Sequence, residues 1–323
     1  MFYIGIDVGG TGIKLGVTDE SGRILSKSET PTLVGRPYQD IIRDMGQYIL
    51  KTVAEIGLSP GDIQAVGVGI PGIANNENGH VIFCTNMHWT DVPLRMELQK
   101  YLDKPVYIDN DATVAGLAEH ICGVSAGCRS SVFMTLGTGI GSGIILNGKP
   151  WSGFHGIGGE LGHVPMDIDG ELCTCGNHGC VERYCSAGAA IRIAKTQLFS
   201  HPESIMLAAC GNDLDKLNAK IVFDAAKEGD IAAVNAVNQY VDNLCKAVYM
   251  IIAFLDPEMI VLGGGVSKAG SFLLNAIREK IPDYLLFKTM PYPRIEIAKL
   301  GADAGIIGAA MLGMLGNKPI QEA

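Results

Sequence analysis

The chain has 323 residues, 47% hydrophobic and 18% charged, with 42 glycines. That length is more than one hydrophobic core usually fills, so about two globular domains are expected, and the apolar content excludes a disordered chain. The net charge of −9 argues against a nucleic-acid partner, which needs a basic face, but leaves room for local sites that take anions.

The opening, MFYIGIDVGG, has no basic start and runs straight into a strand-like segment, so no secretory leader is expected. FYIGIDVGGTGIKLGVTDESGRIL reads as two strands joined by a glycine turn, with Asp19-Glu20-Ser21-Gly22 as a hairpin signal. Ile41, Ile42, Met45, Tyr48, Ile49 and Val53 recur at helical spacing and predict a helix over 38–56. IQAVGVGIPG (63–72) is a strand and loop, VPLRMELQKYL (92–102) is helical, and PVYIDNDA (105–112) is a strand running into a helix. The design then restarts. SVFMTLGTGIGSGIILNGK (131–149) is again strand, glycine turn and strand, closed by Asn147-Gly148. Helical stretches follow at 186–198 and 222–255, then a strand ending in glycines, MIVLGGGVS (259–267), and an apolar helix at 303–316. The longest apolar run, AVYMIIAFL at 247–255, falls far short of the roughly 20 residues that span a bilayer and reads as a buried helix end. No membrane partner is expected. The cytoplasm is the expected compartment, where thiols stay reduced.

A strand–turn–strand hairpin used twice, each time followed by α/β material, predicts two similar α/β halves with a cleft between them, joined through helices rather than a flexible tether.

The glycines of Asp7-Val8-Gly9-Gly10-Thr11 sit between two strands, where backbone N–H groups can approach an anion without a side chain in the way. Asp7 is placed to hold Mg²⁺ through water, and Thr11 to donate to a phosphate. Gly137-Thr138-Gly139-Ile140-Gly141 repeats the device, and Gly263-Gly264-Gly265 is a third cluster. GxxxxGK[ST] is absent, and the Gly137 loop leads into a strand rather than a helix, so a P-loop or dinucleotide fold is disfavoured. Gly123-Val124-Ser125-Ala126-Gly127 matches G-x-S-x-G, but a helix is expected before it and a strand after it, the reverse of a hydrolase elbow.

Asp109-Asn110-Asp111-Ala112 stands at a strand end, where ligand sites of α/β sheets form. Asp111 is the candidate general base for a phosphoryl transfer, a reaction that needs positioning, charge neutralisation and a proton acceptor. The competing reading is that Asp111 caps the next helix. Asn86, Glu160, His163 and Glu182 add amide, carboxylate and imidazole groups suited to a polyhydroxylated ligand. CTCGNHGC (173–180) places Cys173, Cys175 and Cys180 ten or more residues after His163. Three thiols and an imidazole suit tetrahedral Zn²⁺ with no open position, hence a structural metal that pins the loop carrying Glu160, His163 and Glu182. Cys84, Cys122, Cys128, Cys185, Cys210 and Cys245 show no ligand spacing and are expected to fill the core.

DVGGT at the start, GIPG at 69–72, DNDA at 109–112, LGTGIGSG at 136–143, GGELGH at 158–163 and CTCGNHGCVE at 173–182 together resemble the ROK family of bacterial sugar kinases and related repressors. The resemblance is greatest to its glucokinases, although GKPWSGFHGIGGELGHVPM also resembles its allose kinases. It implies the two-domain hexokinase/actin-like ATPase (ribonuclease H-like) fold. A smaller domain is expected over 1–117, completed by a C-terminal helix at 303–323, and a larger one over 118–302. The resemblance implies ATP and a hexose as ligands, with Asp111 as base on a sugar hydroxyl, most often the one on C6. Asn86, Asn110, Asp111, Glu160, His163 and Glu182 match the family's sugar contacts. Asp7, Gly9, Gly10, Thr11, Lys14, Gly137, Thr138, Gly139 and Gly264 match positions around the nucleotide. His163, Cys173, Cys175 and Cys180 match its zinc ligands. Family members are commonly homodimers, sometimes tetramers. Thr113 departs from the Asn that many members carry after this motif. Kinases for allose, N-acetylmannosamine or fructose are the closest rivals. A sugar-responsive repressor is disfavoured, because family repressors carry a helix-turn-helix before the first strand, and an actin-like filament protein leaves the sugar set and the knuckle without a purpose.

Overall fold

The computed structural model of the chain describes residues 1–316; the remainder of the helix expected over 303–323 lies outside the described residues. β1 (Phe2–Val8), β2 (Gly12–Asp19) and β3 (Ile24–Pro31) form an antiparallel meander. After α1 (Tyr38–Glu55), β4 (Ile63–Ile70) pairs parallel with β1. A small antiparallel sheet of β5 (Ile73–Asn75), β6 (His80–Cys84) and β7 (Trp89–Val92) follows, then the short α2 (Leu94–Gln99) and β8 (Val106–Asn110), which pairs parallel with β4. The main sheet therefore runs β3-β2-β1-β4-β8. α3 (Asp111–Ile121) leads on to β9 (Ser130–Leu136), β10 (Ile140–Leu146) and β11 (Lys149–Pro150). With β12 (Met259–Gly263) and β13 (Arg294–Ile297) these give a second five-stranded sheet of matching order, β11-β10-β9-β12-β13. The repeated hairpin read from the sequence is thus a repeated sheet topology.

Two compact units result. Among the described residues, the first comprises 1–133, 143–159 and 299–316; the second comprises 134–142 and 160–298. In the first, strand alternation sorts residues to two faces. Ile4, Ile6, Val66 and Val68 join the core that contains Ile41, Ile42, Met45 and Ile49 of α1. Tyr3 and Ala65 point the other way, into a core with Val114 and Leu117 of α3 and Ile307, Ala310 and Met311 of the closing helix Ala304–Gly316. On that second face β1 and β4 carry Gly5 and Gly67. A Cβ on Gly5 would overlap the carbonyl of Ile306, and one on Gly67 the carbonyl of Ala309. The closing helix is seated on the strand backbone itself, a spacing only glycine permits.

In the second unit, α4 (Val181–Cys185), α5 (Ala187–Leu198), α6 (Ile205–Ala209), α7 (Ala219–Lys227) and α8 (Ile231–Leu255) precede β12, and α9 (Gly264–Ser267) and α10 (Ser271–Lys280) follow it. α8 packs against α5, α7 and α10. Its fully buried Tyr240 donates to the Cys185 carbonyl at 2.7 Å and meets Phe223 edge-on at 5.8 Å. The single helical stretch expected over 222–255 is two helices. Gly229 takes φ +85°, and the side chain of Asp230 caps α8 by accepting from Ala233 N–H at 2.9 Å. The helix expected over 92–102 shortens to six residues because Trp89–Val92 is a strand and Pro93 starts the helix. No described helix is long and apolar enough to cross a membrane.

Candidate active site and thiol knuckle

The first unit holds Asp7, Gly9, Gly10, Thr11, Lys14, Asn86, Asn110 and Asp111; the second holds the remaining candidate residues. β1 and β2 pair with Asp7 opposite Lys14 and Val8 opposite Ile13, which leaves 9–11 as the turn. Gly9 N–H closes the turn onto the Gly12 carbonyl at 2.9 Å. Thr32, fully buried, pins it from β3's side: its hydroxyl donates to the Gly9 carbonyl at 2.6 Å and its N–H to the Thr11 carbonyl at 3.2 Å. Thr32 carries no motif signal and escapes sequence reading. Burial pushes the Asp7 carboxyl up, with Lys14 at 3.8 Å opposing and Glu29 adding to the shift. Asn86 is exposed on a 3₁₀ turn, Thr85–Met87, and approaches the Gly10 backbone.

The end of β8 bears on the capping reading of its motif. Asn110, not Asp111, caps α3: its Oδ1 accepts from Ala112 N–H at 2.8 Å and Thr113 N–H at 3.2 Å. Its Nδ2 donates to the Gly72 carbonyl at 3.0 Å. Asp111 is the first residue of the helix, half-buried, and accepts from Ala112 N–H at 2.8 Å. Asp109, which sequence reading left without a role, is only 5% exposed. Its Oδ1 accepts from Asn110 N–H at 2.8 Å and from the Ser152 hydroxyl at 3.3 Å. Burial pushes its carboxyl up to about 6, against those two hydrogen bonds. A charged residue closing an otherwise apolar strand was the available signal; Ser152, 43 positions away, had none.

In the second unit the hairpin between β9 and β10 is closed by Gly137 N–H to the Gly139 carbonyl at 3.1 Å, and Ala187 N–H at the start of α5 donates to the Gly137 carbonyl at 2.8 Å. Thr138 is exposed at its tip. Glu182, on α4, reaches this hairpin: its Oε2 accepts Ile140 N–H at 3.0 Å. Gly264, which directly follows β12, adopts φ +84°, and a Cβ there would overlap the backbone of Leu136, so this glycine lets the chain close up behind the same hairpin. Glu160 precedes a 3₁₀ turn, Leu161–His163, which His163 N–H closes onto the Glu160 carbonyl at 3.0 Å. Desolvation pushes the Glu160 carboxyl up; His163 opposes this and Glu182 adds to it.

His163, Cys173, Cys175 and Cys180 come together. Their donor atoms lie within 4.8 Å of one another, with Cys173 Sγ 3.8 Å from His163 Nδ1 and Cys175 Sγ 3.6 Å from Cys180 Sγ. A tetrahedron of 2.3 Å metal–sulfur bonds has edges of about 3.8 Å, so the donor set fits Zn²⁺. The loop is shaped for this. Cys173 N–H donates to the Asn177 carbonyl at 2.7 Å, Gly176 N–H to the Cys173 carbonyl at 3.0 Å, and strand-like bridges join Pro165 to Cys180 and Leu172 to His178. None of the nine cysteines forms a disulfide. Among the six outside the knuckle, Cys84, Cys128, Cys185, Cys210 and Cys245 are buried and Cys122 is half-buried, as expected of core fillers. The G-x-S-x-G match lies in the turn between α3 and β9 and forms no elbow.

The ROK family profile matches residues 3–314. The chain belongs to the ROK family. Among curated ROK relatives, the glucokinase of Thermotoga maritima is 38% identical over 96% of each chain. The glucokinase of Halalkalibacterium halodurans is 36% identical, over 96% of this chain and 94% of that one. Among solved structures, a ROK glucokinase from Streptomyces griseus in complex with glucose and AMPPNP superposes with a TM-score of 0.82 at 33% identity, covering 98% of this chain and all 100% of its own. The fold of this ROK chain is therefore the two-domain, actin-like ATPase fold expected from the motifs.

Proposed function

We propose that this protein is an ATP-dependent hexose kinase, with glucose the first substrate and its C6 hydroxyl the acceptor. The reading is supported above all by the full-length likeness to a glucokinase solved with glucose and AMPPNP. Asp111, at the mouth of β8, is the general base. It takes the proton of the sugar hydroxyl as the oxygen attacks the γ-phosphorus; the new O–P bond forms as the bond to the β,γ-bridging oxygen breaks and ADP leaves. Because Asn110 does the capping, Asp111 is not needed to start α3. Asn110 retains one amide hydrogen for a sugar oxygen, and Glu182 retains Oε1. With Asn86, Glu160 and His163 they form the sugar-contact set. The two glycine hairpins, 9–11 and 137–139, with Lys14 and Gly264, hold the nucleotide. Asp7 would hold Mg²⁺, which supplies charge neutralisation on the phosphates when bound. His163 through Nδ1, with Cys173, Cys175 and Cys180, would hold a structural Zn²⁺ that fixes the segment bearing Glu160 and Glu182. A cytoplasmic homodimer is the assembly that the family resemblance favours.

The deciding experiment is Asp111→Ala assayed by coupled ADP release across a panel of hexoses. Loss of a general base predicts a fall in kcat of about 10²–10⁴, with hexose binding retained by calorimetry. Turnover at the wild-type rate would remove Asp111 from the role.

A further inference from the structure

A cavity of about 280 Å³ opens in the second unit, lined by Glu171 ahead of the knuckle, Arg183 of α4, Arg192 and Thr196 of α5, and Gln239 and Asn243 of α8. Two guanidiniums converge there on one carboxylate oxygen: Arg183 Nη2 lies 2.7 Å and Arg192 Nη2 3.0 Å from Glu171 Oε2. The three side chains leave one net positive charge. Each guanidinium offers five N–H donors in a rigid fork. Among the described residues, apart from those two contacts, these guanidiniums make only one further bond, from Arg192 Nη2 to the Arg183 carbonyl. Arg183 Nε is buried with no hydrogen-bond partner among the described residues. The side-chain amides of Gln239 and Asn243, one helical turn apart on the same face of α8, make no hydrogen bond among the described residues. Unspent Arg donors and uncommitted amides around a net positive charge are the chemistry that grips an oxyanion with bidentate geometry. The cavity is smaller than the 300–1,000 Å³ typical of organic ligand pockets, so the ligand is small.

We propose that this cavity is a phosphate-class anion site, which takes inorganic phosphate or the phosphate group of a sugar phosphate in competition with Glu171. The position couples it to the knuckle from both ends. Glu171 stands two residues before Cys173, and Arg183 directly follows Glu182, whose carboxylate holds Ile140 N–H at 3.0 Å. An anion that draws Arg183 and Arg192 off Glu171 releases the near side of the knuckle and loads the far side. The site stands on its own residues, whether or not the hexose assignment holds.

The test is isothermal titration calorimetry of the full chain at fixed ionic strength in chloride, with glucose, AMPPNP and magnesium present to fill the substrate sites. Inorganic phosphate is the probe in one arm and glucose 6-phosphate in the other. Saturable binding of one anion per chain is expected in at least one arm, and which arm shows it identifies the source. Arg192→Gln weakens that binding by about tenfold, the loss of one charge-assisted pair. Glu171→Gln tightens it, because the competing carboxylate is gone. Lys195→Gln, a partly buried neighbour on α5 that pairs with Asp215, leaves it unchanged. No saturable heat with either probe would overturn the proposal, as would titrations that Arg192→Gln and Glu171→Gln both leave at the wild-type value.

Discussion

Asp109→Asn isolates the cost of burying a carboxylate beside the proposed base. The substitution is isosteric, and an amide oxygen still accepts from Asn110 N–H and the Ser152 hydroxyl, the two bonds that Asp109 makes. What changes is the charge. Burial raises the folded-state pKa from 3.8 to about 6, so the folded chain holds this proton more tightly than the unfolded chain. The penalty is therefore absent below the unfolded value, grows between pH 3.8 and 6, and is complete above 6. Linkage puts it at about 1 kcal/mol at pH 4.5 and about 3 kcal/mol at pH 7.5. Asp109→Asn should then stabilise the protein by about 2 kcal/mol more at pH 7.5 than at pH 4.5. Urea denaturation of wild type and variant at both pH values measures this as a gap between midpoints that widens with pH, at unchanged slope. A gap that is constant with pH, or a variant less stable than wild type at pH 7.5, would refute the argument that the two hydrogen bonds of Asp109 do not offset the burial of its charge.

Three other substitutions probe the remaining parts. Elemental analysis of the wild type should find zinc, and Cys175→Ser should abolish it and open the 160–182 segment to proteolysis; wild-type protein free of zinc would end the structural-metal reading. Glu160→Gln removes a carboxylate from the proposed sugar set, so steady-state kinetics should show a larger rise in KM for the hexose than for ATP, and equal rises would count against a sugar contact. Gly67→Ala forces a methyl group onto the Ala309 carbonyl and should destabilise the first unit by about 1–3 kcal/mol, the usual cost of overpacking; an unchanged urea midpoint would mean that the closing helix does not rest on the β4 backbone.

What the sequence determined by itself was the local grammar. Strand alternation and glycine turns at 2–19 and 130–146 gave the two hairpins, because residue period and turn chemistry act over a few positions. The thiols of 173–180 are close in space largely because they are close in the chain, so the knuckle was legible, and the glycine and aspartate motifs named the family. Tertiary structure decided which polar groups act on one another across the fold. Thr32 pins Gly9 from 23 residues away, Ser152 bonds Asp109 from 43, and Glu182 holds Ile140 N–H from 42. The capping of α3 also fell to Asn110 rather than Asp111, although the two are adjacent and both suited to it. Periodicity records which face of an element is buried. It holds no information about which distant donor will find a given acceptor, because that is set only when the sheets and helices pack.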